Sequence, residues 1–235
     1  KPTKLNLKSK FNFLMVGTIT SQNADDDRKN IFYGIKWLCE QFKDDKKVSL
    51  VLKTSFGKGT KIDRKITTNI INQVLKQVRP GKFPKVNLIH GGMTQEEIAG
   101  VYRNKKIHGL VSPTRGEGYG LPLVEAAAEG LPIVATGWSG HNEFLQKDKY
   151  LAVDYSLEPI SKNKIDNRVF VEGTRWAKVS EDDFKRKIQD LRDNYDLHVK
   201  NAVELQSVIK SEFSRSAVIE KYNKFFDEFK KNLRE

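Results

Sequence analysis

The sequence predicts an α/β fold: a doubly wound parallel sheet of about six strands, with extra helices at the C-terminal end. Three observations predict it. Short apolar runs recur over the first two thirds of the chain, at 11–17, 48–54, 86–90, 107–112, 133–135 and 150–153, as buried parallel strands do. Stretches with helical spacing separate several of them, and such alternation calls for a parallel sheet with right-handed crossovers. From Ser180 onward the strand pattern does not return, and the chain reads as helical.

Taken in order, Phe11-Asn-Phe-Leu-Met-Val-Gly17 is the first buried strand. A polar loop over 18–27 leads to a helix at about 29–42, with Ile31, Ile35, Leu38 and Phe42 on one face. Asp25, Asp26 and Asp27 in that loop read as solvated like charges rather than a metal site. Residues 48–54 form the second strand, and Lys53 stands at its carboxyl end, where open α/β sheets bind ligands. The glycine-rich 56–60 lacks the P-loop spacing. A helix over 63–78 should turn Ile66, Ile70, Ile71, Val74 and Val78 inward, before Pro80, Gly81 and Pro84 break the chain. The third strand, 86–90, is followed by Thr94-Gln-Glu-Glu97, a capping box opening a helix to about residue 104. The fourth strand is 107–112, and His90 and His108, at strand ends, are expected to pack or cap.

That strand runs into Pro113-Thr-Arg-Gly-Glu-Gly-Tyr-Gly-Leu-Pro-Leu-Val-Glu-Ala-Ala-Ala-Glu-Gly-Leu-Pro-Ile-Val-Ala-Thr136. Gly116, Gly118 and Gly120 make a flexible turn, Pro122 suits a first helical position, and Gly130 is a stop before the strand at 133–135. A glycine turn feeding a helix start lets backbone amides and the positive helix end approach an anion, most often phosphate. Two acids frame it, Glu117 in the turn and Glu125 in the helix. Glu125 lies among apolar residues and needs hydrogen-bond donors there, a role that sugar hydroxyls suit. Backbone amides for a phosphate and two carboxylates for hydroxyls describe a nucleotide-sugar pocket. The third glycine of a dinucleotide fingerprint is missing.

Glu117-Gly-Tyr-Gly-Leu-Pro-Leu-Val-Glu125 and the residues after it closely resemble the E-x7-E signature of the retaining group 1 (GT4-like) glycosyltransferases. These have the GT-B architecture of two facing Rossmann-like domains, and the signature belongs to the C-terminal, donor-binding one. The resemblance implies one half of a GT-B fold: a Rossmann-like nucleotide-sugar-binding domain over 1–178, with C-terminal helices over 179–235 packed on it. The N-terminal acceptor domain would be absent, and this piece alone would transfer little. It also implies that Glu117 is catalytic, meeting the donor sugar near its reacting carbon, and that Glu125 holds the ribose. Amides of Gly118, Tyr119, Gly120 and Leu121, with Lys53 and Lys29 or Arg28, would stabilise the diphosphate. In the family the first loop carries a Gly-Arg pair and later a Lys-Gly pair. Here Gly17 is followed by Thr18, and Arg28-Lys29-Asn30 lacks the glycine, so the first phosphate contact is open and Lys29 ranks above Arg28. No cofactor and no metal are implied, since the leaving group would be stabilised electrostatically.

Gly137-Trp-Ser-Gly-His-Asn-Glu-Phe-Leu145 resembles the family's glycine turn and short helix, and 150–153 is a sixth strand. Residues 154–178 read as an irregular arm. Ser214 should cap a last helix whose Val218, Tyr222, Phe225, Phe226 and Phe229 form an apolar stripe. The stripe reads as core packing, unless the helix crosses to a second domain as in GT-B relatives.

The chain has 235 residues, 42 Lys and Arg against 30 Asp and Glu, and a formal charge of +12. Donor phosphates, an anionic membrane face or nucleic acid would each suit that charge. The lysines are dispersed among acids, and there is no zinc spacing, RNA-binding aromatic signature or recognition helix, so no nucleic-acid partner is expected. Peripheral contact with the inner face of a membrane stays open. One cysteine, Cys39, excludes an internal disulfide. With no apolar run near the roughly 18 residues of a membrane span, the expectation is a soluble, cytoplasmic protein. A start at Lys1 suggests an excised or processed piece. The expected function is glycosyl transfer from a nucleotide-diphosphate sugar in glycan or polysaccharide biosynthesis. The rivals are an epimerase or phosphorylase of the same architecture and a non-catalytic basic domain binding nucleotide, nucleic acid or membrane, the last marked by steep salt dependence.

Overall fold

A computed structural model of the chain describes residues 3–55, 57, 59–146 and 148–232; Phe56 and Lys58 of the glycine-rich 56–60 lie outside the described residues. Six parallel strands form one sheet: β1 (Phe11–Val16), β2 (Val48–Thr54), β3 (Lys85–His90), β4 (Gly109–Ser112), β5 (Ile133–Thr136) and β6 (Leu151–Val153). Their spatial order is β3-β2-β1-β4-β5-β6. The order reverses between β1 and β4, and ligands of such sheets bind in the crevice that opens at this switch. This is a Rossmann-like, doubly wound sheet.

Strand alternation divides the core between two faces. Phe13 and Met15 of β1 point to the side covered by α1 (Ile31–Gln41), α2 (Lys61–Val78) and α5 (Glu181–Asp193), and pack with Leu38, Leu50, Leu52 and Phe184. Leu14 and Val51 point to the other side, against α3 (Gln95–Tyr102), α4 (Leu121–Ala128) and α6 (Tyr195–Glu212), with Val101, Leu123 and Leu205. Gln206 of α6 donates from Nε2 to the Ala128 carbonyl at 2.8 Å, closing the C-terminal end of α4. The chain turns away there at Gly130, whose φ of 71° suits glycine.

Four details depart from the sequence expectations. The first helix begins at Ile31 rather than 29, because Asn30 is left-handed (φ 56°) and Asp27 Oδ2 takes the Ile31 N–H at 2.7 Å. Arg28 and Lys29 thus sit in the turn ahead of the helix. In α2, Ile71 is buried and Ile70, Val74 and Val78 pack half-buried against the core as expected, but Ile66 is exposed. The half-buried edge strand β3 beneath gives that helix little sheet to cover. Residues 154–178 are irregular only between 160 and 174: β7 (Tyr155–Pro159) pairs antiparallel with β8 (Arg175–Val179) as a long-looped hairpin beside the main sheet. Finally, the aromatic stripe of α7 (Arg215–Asn232) is not in the core; Tyr222, Phe225, Phe226 and Phe229 are all more than half exposed. The Ser214 cap is present, its Oγ accepting from the Ala217 N–H at 3.3 Å.

Candidate functional site

The loop between β4 and α4 is held from both sides before it reaches Glu117. The Arg115 N–H donates to the Arg28 carbonyl, and the Arg115 carbonyl accepts from the Ala177 N–H of β8, each at 2.8 Å. The buried Arg115 side chain pairs with Glu158 of β7 at 2.9 Å and lies over the Trp176 ring, 5.0 Å from its centroid. The hairpin is therefore fastened to the residue two before Glu117.

Beneath Glu117, the loop after β5 supplies the floor. Ser139 Oγ accepts from the Glu117 N–H at 2.9 Å and donates to its carbonyl at 2.7 Å, and the Gly140 N–H donates to the same carbonyl at 3.1 Å. Ser139 has a φ of 99°, unusual for a residue with a side chain. Gly140 is obligatory by contact, since a Cβ there would lie 1.9 Å from the Gly118 carbonyl oxygen. Gly120 begins α4 in a left-handed conformation (φ 90°) with no side-chain cap, and Pro122 stands in the first turn. The Leu123 and Val124 N–H groups donate to the Gly120 carbonyl and Pro122 has none, so the amide that α4 leaves uncapped at its start is that of Leu121, with the positive helix end behind it.

Two cations converge on Glu117. Lys29 Nζ donates to its carboxylate oxygens at 2.6 and 2.8 Å, and Arg28 Nη1 approaches Oε2 at 3.3 Å while donating to the Gly116 carbonyl. Gly17 at the end of β1 lies against the Lys29 stem; a Cβ there would stand 3.4 Å from Cγ. The Glu117 side chain is 8% exposed and that of Lys29 15%. Burial raises the Glu117 carboxyl pKa, but the charge and hydrogen bond of Lys29, the charge of Arg28 and a hydrogen bond from Thr114 outweigh it and hold the group below its usual range.

Glu125, one turn into α4, faces elsewhere. Its partner is the Tyr102 hydroxyl at the end of α3, donating at 3.2 Å. It lines a cavity of about 300 Å³ with Gln95, Ile98 and Tyr102. Burial raises its pKa, only partly offset by the Tyr102 hydrogen bond. The two signature acids thus open on different cavities. Lys53 stands at the end of β2 and donates to the Gly91 carbonyl at 2.7 Å, its pKa lowered by burial. The structure brings Gly17, Arg28, Lys29 and Glu117 together and leaves Lys53 and Glu125 with separate partners. Gly118 faces open space, while Tyr119 and Leu121 are exposed on the rim.

The three loop aspartates are not simply solvated. Asp25 accepts from the Tyr33 hydroxyl at 2.7 Å and Asp26 from Asn23 at 3.1 Å. The fully buried Asp27 takes the Thr20 hydroxyl at 2.7 Å as well as the Ile31 amide. Asp27 thereby fixes the turn that presents Arg28 and Lys29. Sequence reasoning missed Arg115, Ser139, Trp138 and Trp176, and gave Tyr102 no role. In sequence each is an ordinary loop or helix residue, and only burial and contact reveal its place.

A cavity of about 360 Å³ opens over Glu117 between the signature loop and the tip of the hairpin. A larger one, about 1000 Å³, lies on the α1 side of the hairpin. No helix among the described residues is long and apolar enough to cross a membrane.

Over residues 8–221 the sequence matches the model of a family described as "Family 4 Glycosyltransferase in conflict systems". No curated protein matches it in sequence. Among solved structures it is similar to the C-terminal domain of a glycosyl transferase group 1 family protein (LpcC) from Francisella tularensis, at 18% identity, TM-score 0.59 and 88% coverage of each chain. It is also similar to Anabaena HepE, solved in complex with UDP and glucose, at 13% identity and TM-score 0.64, covering 94% of this chain and 49% of that one. Sucrose-phosphate synthase from Thermosynechococcus elongatus gives 15% identity and TM-score 0.61, covering 94% of this chain and 45% of that one. At such identities the likeness shows the fold alone, and the chain spans less than half of the last two.

Proposed function

The chain belongs to the family 4 glycosyltransferases of conflict systems, and from that premise we propose that it is the donor-binding domain of a retaining transferase using a nucleotide-diphosphate sugar. The observation that carries this reading is the meeting of Lys29 and Arg28 with Glu117 beside the uncapped start of α4. Departure of the nucleotide leaves negative charge on the diphosphate, and preorganised amides and cations are what stabilise such charge. In this reading the amides of Gly118–Leu121 and the Arg28 and Lys29 cations serve the diphosphate, while Glu117 turns to the sugar. Lys53 adds a cation at the end of β2, and Glu125 holds the ribose. No metal is required for that chemistry. HepE and the pneumococcal O-GlcNAc transferase GtfA, both solved with UDP, support a nucleotide-sugar donor by analogy of fold.

The whole enzyme would add an acceptor-binding domain, in keeping with the two-domain GT-B architecture, and the exposed aromatic face of α7 would pack on it. In this reading the transfer serves glycan or polysaccharide biosynthesis, and the acceptor is chosen by the second domain. The test is calorimetric titration of UDP, GDP and ADP into the chain and into its Glu125→Ala variant. Micromolar to millimolar binding of one nucleotide, lost in the variant, is expected. A folded chain that binds none of them, together with no donor turnover by a longer chain carrying the second domain, sinks the reading.

A further inference from the structure

The β7–β8 hairpin is no part of the family signature, yet its tip closes on Glu117. The cavity of about 360 Å³ above that carboxylate has two unlike walls. One is polar, made by Arg28, Glu117, Ser139 and the backbone at 116–118. The other is mainly apolar: Trp138 from the loop after β5, and Ile160, Val169, Phe170 and Trp176 from the hairpin, with Thr174 and Arg175 beside them.

The apolar wall is built in advance. Asp166 Oδ1 accepts three successive backbone N–H groups, of Arg168, Val169 and Phe170, at 2.8–2.9 Å. The Asp166 and Asn167 N–H groups both donate to the Phe170 carbonyl, at 3.0 and 3.1 Å. Phe170 is thereby fixed in a knot of backbone and packs edge-on against Trp176, their centroids 6.3 Å apart. Trp176 is in turn buried under the Arg115 guanidinium. Trp138 is held opposite, its ring 3.2 Å from where a Gly116 Cβ would stand and 6.2 Å from the Tyr155 ring. Both aromatic supports therefore rest on Arg115 and Gly116, the two residues that lead into Glu117.

Such a chamber has a matching ligand chemistry. A pyranose ring carries hydroxyls around its edge and apolar C–H faces, so a carboxylate and a guanidinium on one side and aromatic rings on the other meet both. The volume is near the small end of ligand pockets, which run from roughly 300 to 1,000 Å³, and suits a single ring better than a whole nucleotide sugar. Resting on the donor-domain reading, we propose that the hairpin is a sugar-specificity element: Phe170 and Trp138 form the wall of a pyranose subsite facing Glu117 and set which ring it accepts. The ring could be the transferred sugar of the donor or a sugar of the acceptor.

The chain's three tryptophans, Trp37, Trp138 and Trp176, provide the readout. Their 15N-indole signals, assigned with single Trp→Phe variants, are followed during titration with UDP, GDP and ADP, their hexose derivatives, and free methyl glycosides. A sugar-bearing probe is expected to shift Trp138 and Trp176, with core Trp37 as the internal control. Phe170→Ala should weaken the sugar-bearing probe at least tenfold without changing affinity for the bare nucleotide, and Phe170→Tyr should restore it. A response to nucleotide sugars alone assigns the donor ring, and a response to methyl glycosides assigns the acceptor ring. Methyl glycosides shifting Trp138 while no nucleotide binds and the longer chain turns over no donor would uphold the subsite and sink the donor reading instead. Silence of Trp138 and Trp176 toward every sugar overturns the proposal, and so does equal loss of nucleotide and nucleotide-sugar binding in Phe170→Ala.

Discussion

Glu117 and Glu125 stand eight residues apart in one signature, and the fold treats them in opposite ways. Glu117 is clamped by two cations, bonded through its backbone to Ser139 and Gly140, and held below the usual carboxylate range. Glu125 has one phenolic donor, a cavity of its own, and a pKa raised by burial. The first acid is therefore part of the architecture as well as the site. The second is held at a cost, which fits a group retained for a ligand. Stability and binding measurements can separate the two roles.

The largest effect should come from the floor under Glu117. Gly140→Ala places a methyl group 1.9 Å from the Gly118 oxygen, and backbone cannot yield as a flexible side chain can. Thermal or urea unfolding should show a loss of about 3 kcal/mol or more, within the range of severe single substitutions. A loss below about 0.5 kcal/mol would mean that the floor adapts and that Glu117 is less built-in than its contacts indicate.

Next comes the clamp. Lys29→Met leaves a nearly buried carboxylate with only the longer Arg28 contact, and should cost about 2 kcal/mol, less than the roughly 3–5 kcal/mol of a fully buried pair losing one member. Adding Glu117→Gln to Lys29→Met should restore part of that loss, because no unpaired charge remains. If the two changes simply add in unfolding experiments, the clamp is not a coupled unit.

This contrast marks what the sequence could tell. The strands, the capping box at Thr94 and the glycine turn were legible because each rests on local pattern: apolar runs, a four-residue motif, and glycine and proline positions. The hairpin was not. β7 has only one residue that is not exposed, and the strands are separated by residues 160–174 rather than a short hairpin turn, so neither alternation nor a turn motif marked it. Arg115 was hidden for a similar reason: an arginine in a glycine-rich loop reads as surface until Glu158, 43 residues later, is seen beside it. Arg28 and Lys29 were legible as candidates, but their pairing with Glu117 spans almost ninety positions and depends on Asp27 halting the chain before α1. The α7 stripe was legible as a face but not as core or exposed surface, because helical spacing shows that residues share a face and not what covers it.

A smaller effect on stability, and a larger one on binding, is expected at the second acid. Glu125→Gln keeps the shape and removes the charge whose burial is unfavourable, so stability should stay within about 0.5 kcal/mol of the parent, on the side of gain. Nucleotide affinity should nevertheless fall at least tenfold, about 1.4 kcal/mol, since a ribose would lose its charged acceptor. Calorimetry and unfolding on the same sample check both. Intact affinity would remove Glu125 from the site, and a large loss of stability would make it structural like Glu117.

The finest test uses pH, because the two acids should act with opposite sign. The Glu117 pKa is depressed by folding, so its contribution to stability is present above the unfolded value and lost as pH falls through the lower folded one. The Glu125 pKa is raised, so its contribution is present below the unfolded value and lost as pH rises through the higher folded one. Between pH 7 and the acid limb the two partly cancel in the parent. Glu117→Gln should therefore flatten the acid loss of stability, most of all below the ordinary carboxylate range. Glu125→Gln should steepen it, and its effect should lie at and just above that range. Urea unfolding of the parent and both variants over this interval gives two difference curves, and subtraction of the parent removes the other acids. Curves of opposite slope, displaced along the pH axis, are expected. Parallel curves would mean that the fold holds the two carboxylates alike, and the contrast between them would fail.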